Sequence, residues 1–337
     1  MKTLTCLKPG EFAYADSSAP LLKPGHAIIK VKRIGICGTD LHAFEGTQPF
    51  FNYPRVLGHE LAGEIMDIEN HSEYRIGDLV SIIPYFSCGT CYACSQGKTN
   101  CCSKLNVFGV HSDGGMSEFI LVPTQALFKD QSLDLDALAL LEPLAIGAHG
   151  INRAQIKPGE FVLIVGAGPI GLGAAAMASV AGAKVIMLDM NQNRLDFAKE
   201  NLNIPFTINP NHEDASHALK EITHGQMPQV VIDATGYKKA IENSFQYIAH
   251  GGTYVLIGLQ LAELSFSHPE FHKREATLMS SRNATRDDFQ WVADSMRQNF
   301  FDPALFITHR IAFDAVASEF PTLMNPSNGV IKAMISL

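Results

Sequence analysis

Apolar and polar positions alternate in two different textures along this chain. Up to about residue 130 the apolar runs are short, often alternating, and cut by Gly, Pro and Asp. Examples are HAIIKVKRI at 26–34, LAGEIMDIE at 61–69, LVSIIP at 79–84 and MSEFILVP at 116–123. Such runs bounded by turn residues predict strands, gathered in a small β-barrel-like domain. LDLDALALLEPLAIGAHGINRA at 133–154 has helical apolar spacing instead, and Pro158-Gly159 ends it. From Phe161 to about Ser280 the runs FVLIV, KVIML, VVIDA and TYVLIG lack polar alternation, as strands covered on both faces do. Helical stretches such as NRLDFAKENL and KKAIENSFQYIA separate them. That order predicts an α/β doubly wound parallel sheet. The last fifty residues turn mixed and end in GVIKAMISL, a predicted strand able to return to the first domain.

Composition narrows the class. With 337 residues, two domains are expected, and 46% hydrophobic with 18% charged residues describe packed globular cores. The net charge is -8 and the longest basic cluster is HKRE at 272–275, which argues against a nucleic-acid partner. The amino terminus shows no apolar segment with a small-residue cleavage site, so no secretion signal is read. Phe161 to Ala183 carries no charge and is long enough for a bilayer. Its five glycines and Pro169, however, are spaced like a turn joining two elements. The expectation is a cytoplasmic protein with no membrane partner.

VLIVGAGPIG places Gly166, Gly168 and Gly171 in G-x-G-x-x-G spacing after a predicted strand and before a small-residue helix. Gly166 allows the tight turn, Gly168 lets a pyrophosphate approach, and Gly171 lets helix and strand pack closely. The helix amino terminus presents unpaired N–H groups to the phosphates. The next strand ends in Asp189, whose carboxylate would accept the adenosine ribose hydroxyls and repel a 2′-phosphate, so NAD is the expected cofactor. Arg194, a turn or two further on, weakens that preference slightly and joins the candidate contacts.

Five of seven cysteines crowd into residues 88–102. SCGTCYACSQGKTNCC sets Cys88, Cys91 and Cys94 at x₂ intervals with Cys102 after them, the spacing of a closed structural zinc shell. An iron–sulfur run would need its fourth cysteine after three residues, followed by proline. Spacing alone leaves Cys101 as an alternative to Cys102, and Cys6 reads as a packed thiol. A second donor set is thinner: Cys37 in GICGTDLH, His59 and Glu60 in RVLGHE, and Glu142 in LEPLAIGAHG. A catalytic zinc takes three protein ligands and keeps one position open.

In this order, GICGTDLH, RVLGHE, the cysteine lobe, LEPLAIGAHG and VGAGPIG resemble the zinc-dependent medium-chain alcohol and polyol dehydrogenases over nearly the whole chain. The resemblance implies a GroES-like β-barrel catalytic domain at 1–147, completed by 288–337, and a Rossmann domain at 148–287. It implies two zincs per chain, one catalytic and one structural. Cys37 and His59 would hold the catalytic ion, with Glu60 or Glu142 as third ligand where simple alcohol dehydrogenases carry a second cysteine. Zinc would act as Lewis acid on the substrate hydroxyl, with Thr39 and His42 relaying the released proton outward. Softer cofactor positions are Ile170, Asp233, Thr235, Ile257 to Leu259 and Arg282, with Lys332 near the pyrophosphate. The family also suggests a homodimer or homotetramer.

For substrate, TQPFFNYPRVLGHE, GVHSDGG, GKTNCC, FSHPEFHKRE and SRNAT resemble the sugar-acid branch that oxidises L-galactonate to D-tagaturonate. Phe50, Phe51, Tyr53, His111, Arg282 and Asn283 are the candidate substrate contacts. The alternatives are a sorbitol-like polyol or L-threonine 3-dehydrogenase, or a family member that binds NAD without catalysis.

Overall fold

The computed structural model describes residues 1–48 and 51–337. It divides into two compact units, one of 1–142 with 302–337 and one of 143–301. The expected divisions stood at 147/148 and 287/288. Helix Arg286–Arg297 is tied within the second unit, where its Asp288 accepts from His149 and Asn152.

In the first unit the organising element is strand His26–Ile36. Along one side it pairs antiparallel with Glu60–Ile68 over most of its length. Its other side is shared, with Phe119–Pro123 against the first half and Lys332–Ser336 against the second. Ile29, Val31 and Ile34 are at most 1% exposed, and each such burial contributes about 1.5–3 kcal/mol against leaving the side chain in water. The seven-stranded sheet is completed by Leu79–Ile82, Leu127–Phe128 and Ile307–Ala312, the last running parallel to the carboxy-terminal strand. A smaller sheet joins Glu11–Asp16, Lys2–Lys8 and Arg55–Val56. The important consequence is local. Ile36, Glu60 and Lys332 are neighbouring strand ends, with Gly35 opposite Glu60 and Ala333 opposite Ile36.

The second unit holds six parallel strands in the order Phe206–Ile208, Lys184–Leu188, Phe161–Val165, Val230–Asp233, Thr253–Leu256, Thr277–Ser280. Numbered along the unit, that is 3-2-1-4-5-6, so the order reverses between Phe161–Val165 and Val230–Asp233. Open α/β sheets bind ligands at such a point, outside the carboxyl ends of the strands. The uncharged stretch 161–183 folds as strand Phe161–Val165 and helix Pro169–Val180. Among the described residues no helix is long and apolar enough to cross a membrane.

Candidate active site

Cys37 follows the last residue of the central strand and caps helix Gly38–Glu45. The third helical residue, Asp40, is 1% exposed and reaches back to the chain before it. Its carboxylate accepts the N–H of Cys37 at 2.9 Å and of Gly58 at 3.2 Å, fixing the two segments that carry Cys37 and His59. Asp40 Oδ1 also lies 3.7 Å from His59 Nδ1, a buried ring nitrogen with no hydrogen-bond partner among the described residues. Burial disfavours a charged His59 ring, but Asp40 and Cys37 outweigh it and raise its pKa well above the usual value.

Donor atoms of Cys37, His59 and Glu60 lie within 4.8 Å of one another. Glu60 is fully buried over Gly35, where a Cβ would come within 2.1 Å of Oε2, so glycine leaves the space this carboxylate fills. Both its oxygens accept from Lys332 Nζ at 2.6 Å. Glu142, 3% exposed, accepts from the Tyr85 hydroxyl. Burial and the neighbouring Glu60 push the Glu142 carboxyl up to about 7, against the opposing pull of His59. Burial, and then Glu142, likewise raise Tyr85 well above the phenol range. Glu60, Cys37 and Glu142 thus surround the Lys332 ammonium, while Asp40 faces the His59 ring. A thiol, an imidazole and a carboxylate are a zinc-type donor set.

The cysteine lobe is shallower. Sγ atoms of Cys88, Cys91, Cys94 and Cys102 lie within 4.8 Å of one another, with Cys91–Cys94 at 3.5 Å and Cys88–Cys102 at 3.4 Å. Four sulfurs at the usual zinc distance form a tetrahedron with edges of about 3.8 Å, so this cluster fits a structural zinc. Cys101 is exposed and stands outside the group, which leaves Cys102 as the fourth donor. Backbone N–H groups of Cys94 and Ser103 hold the Cys91 thiol down at about 5, and that of Thr90 leads in holding Cys88 at about 7. Both favour the thiolate that metal binding needs.

Thr39 is half-buried and His42 exposed on the same short helix, three residues apart. His42 Nδ1 lies 3.2 Å from Thr47 Oγ1 and 3.4 Å from Glu45 Oε2.

At the sheet's carboxyl edge, a Cβ on Gly171 would stand 1.8 Å from the Gly166 carbonyl oxygen, so helix and turn touch there only because the side chain is missing. Gly168 faces open space, with Arg194 Nη1 the nearest atom at 3.9 Å from where its Cβ would be. Asp189 accepts from Ala167 N at 2.6 Å and Asn191 N at 2.7 Å, which ties it to the glycine turn. Half-buried Ile170, half-buried Ile257, exposed Leu259 and exposed Arg282 lie along the same edge.

Family models for the alcohol dehydrogenase GroES-like domain and for zinc-binding dehydrogenase match residues 23–132 and 169–298. The L-galactonate-5-dehydrogenase of Escherichia coli K12 is 44% identical over 337 residues, covering 100% of this chain and 99% of its own. The chain belongs to the zinc-type medium-chain alcohol dehydrogenases. It is thus an NAD(P)-dependent enzyme of the alcohol and polyol dehydrogenase group, with the GroES-like and Rossmann-like pair of domains. The solved structure of the short chain alcohol dehydrogenase rspB from Escherichia coli CFT073, complexed with NADH, superposes with a TM-score of 0.92 at 30% identity, covering 100% of this chain and 99% of that one. A putative zinc-binding dehydrogenase from Sinorhizobium meliloti 1021 bound to NADP gives 0.91 at 28%, with the same coverage.

Several expected contacts take other roles in this family member. Lys332 is 2% exposed and spent on Glu60, so it does not offer its charge to a pyrophosphate. Asp233 is fully buried and accepts from Thr235 and Gly236, holding its own turn. Tyr53 packs on Phe51 and donates to the Ala43 carbonyl, and His111 Nδ1 accepts the Val107 N–H. Phe50 lies outside the described residues. Asp40 and Tyr85 were missed. Asp40 had a signal, an acid at the third position of a helix start; Tyr85 had none. Lys332 had one too, a lone charge in an apolar strand, which calls for a buried partner.

Proposed function

We propose that this dehydrogenase oxidises a secondary hydroxyl of a sugar acid, L-galactonate to D-tagaturonate, with NAD as acceptor and two zincs per chain. What carries the substrate reading is the 44% identity to L-galactonate-5-dehydrogenase along the full length of both chains. Cys37 and His59, with Glu60 or Glu142, would hold the catalytic ion, and Cys88, Cys91, Cys94 and Cys102 the structural one. When bound, zinc supplies Lewis acidity at the substrate hydroxyl and the nicotinamide supplies the hydride acceptor. Asp40 keeps the Cys37 and His59 segments in register. Thr39 Oγ1 takes the hydroxyl proton, and His42, exposed one turn further on, hands it to water. Gly166, Gly168 and Gly171 seat the pyrophosphate, while Asp189 accepts the ribose hydroxyls; Ile170, Arg194, Ile257, Leu259 and Arg282 line the cofactor's edge. A carboxylate at 189 supports NAD over NADP. The same reading takes the enzyme as a cytoplasmic homodimer or homotetramer.

The test is turnover of purified, zinc-replete enzyme on L-galactonate, sorbitol and L-threonine, each with NAD and with NADP. L-Galactonate with NAD should be preferred. A better rate on the polyol or the amino acid overturns the substrate, and equal use of NADP overturns the role given to Asp189.

A further inference from the structure

In the second unit, the segment FSHPEFHKRE forms the crossover between strands Thr253–Leu256 and Thr277–Ser280 and carries helix His268–Lys273. Phe271 anchors that helix, its ring 5.2 Å from that of Phe266 and 6.0 Å from that of Phe245. Successive residues turn about 100° around a helix, so positions four apart share a face. One face holds Glu270 and Arg274, whose carboxylate and guanidinium meet at 2.8 Å. The opposite face holds His268 and His272, both exposed, with ring centres 5.9 Å apart. Among the described residues, neither imidazole is taken up by a hydrogen bond or an ion pair. Lys273 and Glu275 line the same groove and offset each other's charge. Two imidazoles at this spacing on a helix can grip one ion. At the usual Zn–N distance of about 2.0–2.1 Å their ring centres stand about 5 Å apart. Rotation of two exposed side chains covers the difference from 5.9 Å.

We propose that His268 and His272 form a surface site for a late first-row divalent transition metal, separate from both cysteine-containing donor sets and independent of how those are read. Imidazole nitrogen suits nickel, copper and zinc, whereas magnesium and calcium take oxygen ligands. Water fills the remaining positions. The ion acts as a clasp across one turn of a six-residue helix, a length too short to persist by itself. Metal binding therefore steadies the crossover that joins the two strands.

The test titrates tag-free, zinc-replete enzyme with nickel by equilibrium dialysis, counting nickel and zinc in the same samples. One nickel per chain should bind without loss of zinc. His268→Gln and His272→Gln should each weaken it by about tenfold or more, for the loss of one coordinate bond. His217→Gln removes another exposed imidazole, on helix Ala215–Ile222, and should change nothing. His272→Lys combined with Lys273→His keeps the composition but turns the second ring about 100° around the helix. Its nickel affinity should fall as far as that of His272→Gln. With nickel about a hundredfold above its dissociation constant, amide hydrogen exchange across 268–273 should slow by about 100-fold. His272→Gln should show no such slowing. Nickel that only replaces zinc, that still binds after loss of both histidines, or that millimolar magnesium displaces overturns the proposal. So does unaltered binding in the variant with 272 and 273 exchanged.

Discussion

The two donor clusters of the first unit are built in opposite ways. The cysteine lobe takes four thiols from a 15-residue stretch, 88–102, and holds them with backbone N–H groups of that stretch and of Ser103 and Lys104 just after it. The Cys37 cluster takes its donors from three strand ends and a helix, and its charged members Asp40, Glu60, Glu142 and Lys332 are all at most 3% exposed. Identical ligands in a closed set suit a metal that only braces the chain. A mixed set with surplus buried carboxylate suits one that must bind and release a substrate. Local sequence is enough to make a brace, whereas the reactive centre needs the whole sheet to be correct.

That contrast is most directly broken by exchanging one thiol in each cluster. Cys37→Ser should remove several kcal/mol of transition-state stabilisation, about three orders of magnitude or more in kcat. NAD affinity by fluorescence titration should stay unchanged, since the dinucleotide motifs lie in the other unit. Near-normal turnover would show that the Cys37 cluster is not the reactive one.

Cys91→Ser should do the reverse. Opening the closed shell should cost several kcal/mol of stability, read as a lower Tm and the loss of about one zinc per chain. The kcat of the chains that remain folded should fall far less than in Cys37→Ser. If the two variants lost activity and stability in the same proportion, the division between brace and reactive centre would fail.

The same contrast explains what could be read from the chain. The lobe was legible because C-x-x-C-x-x-C is a spacing, and a spacing survives in one dimension. Strands Phe161–Val165 and Lys184–Leu188 were legible to the residue, because uninterrupted apolar runs between turn residues leave few other folds. Choosing between Cys101 and Cys102 needed coordinates, because only the direction of each Sγ separates them. Lys332 was misread as a phosphate contact because its partner lies 272 positions away and meets it only through strand pairing. Phe51 and Tyr53, expected at a substrate, pack on each other, Tyr53 donates to the Ala43 carbonyl, and His111 accepts the Val107 N–H. Polar tips near a motif do not disclose which way they point.

A smaller effect should come from Asp40→Asn. The amide keeps one acceptor but removes the charge facing His59 at 3.7 Å and offers N–H groups where the Cys37 and Gly58 amides already point. Affinity for the catalytic zinc should fall about 10–100-fold by chelator competition, with the cysteine-lobe zinc unchanged. An equal loss from both sites would mean that Asp40 serves the first unit as a whole and not the buried cluster.

The smallest effect sets the baseline, since it lies in the other unit and touches neither cluster. Asp288 is 2% exposed and accepts from Thr285, His149 and Asn152, joining the start of helix Arg286–Arg297 to helix Leu135–Ala154. Burial alone would raise its carboxyl, but the bond from His149 and those from Thr285 outweigh burial and hold it below the usual range. A carboxyl lowered in this way adds stability above its unfolded pKa of about 3.9, and loses it as pH falls through the lower folded value. Asp288→Asn should therefore cost about 1–3 kcal/mol at neutral pH, measured by denaturant unfolding, with full zinc content. The gap from the unmodified enzyme should narrow below about pH 4. Zinc loss in acid affects both proteins alike and cancels in that difference. A gap that held constant into acid would mean that the charge of Asp288 contributes nothing and only its shape matters.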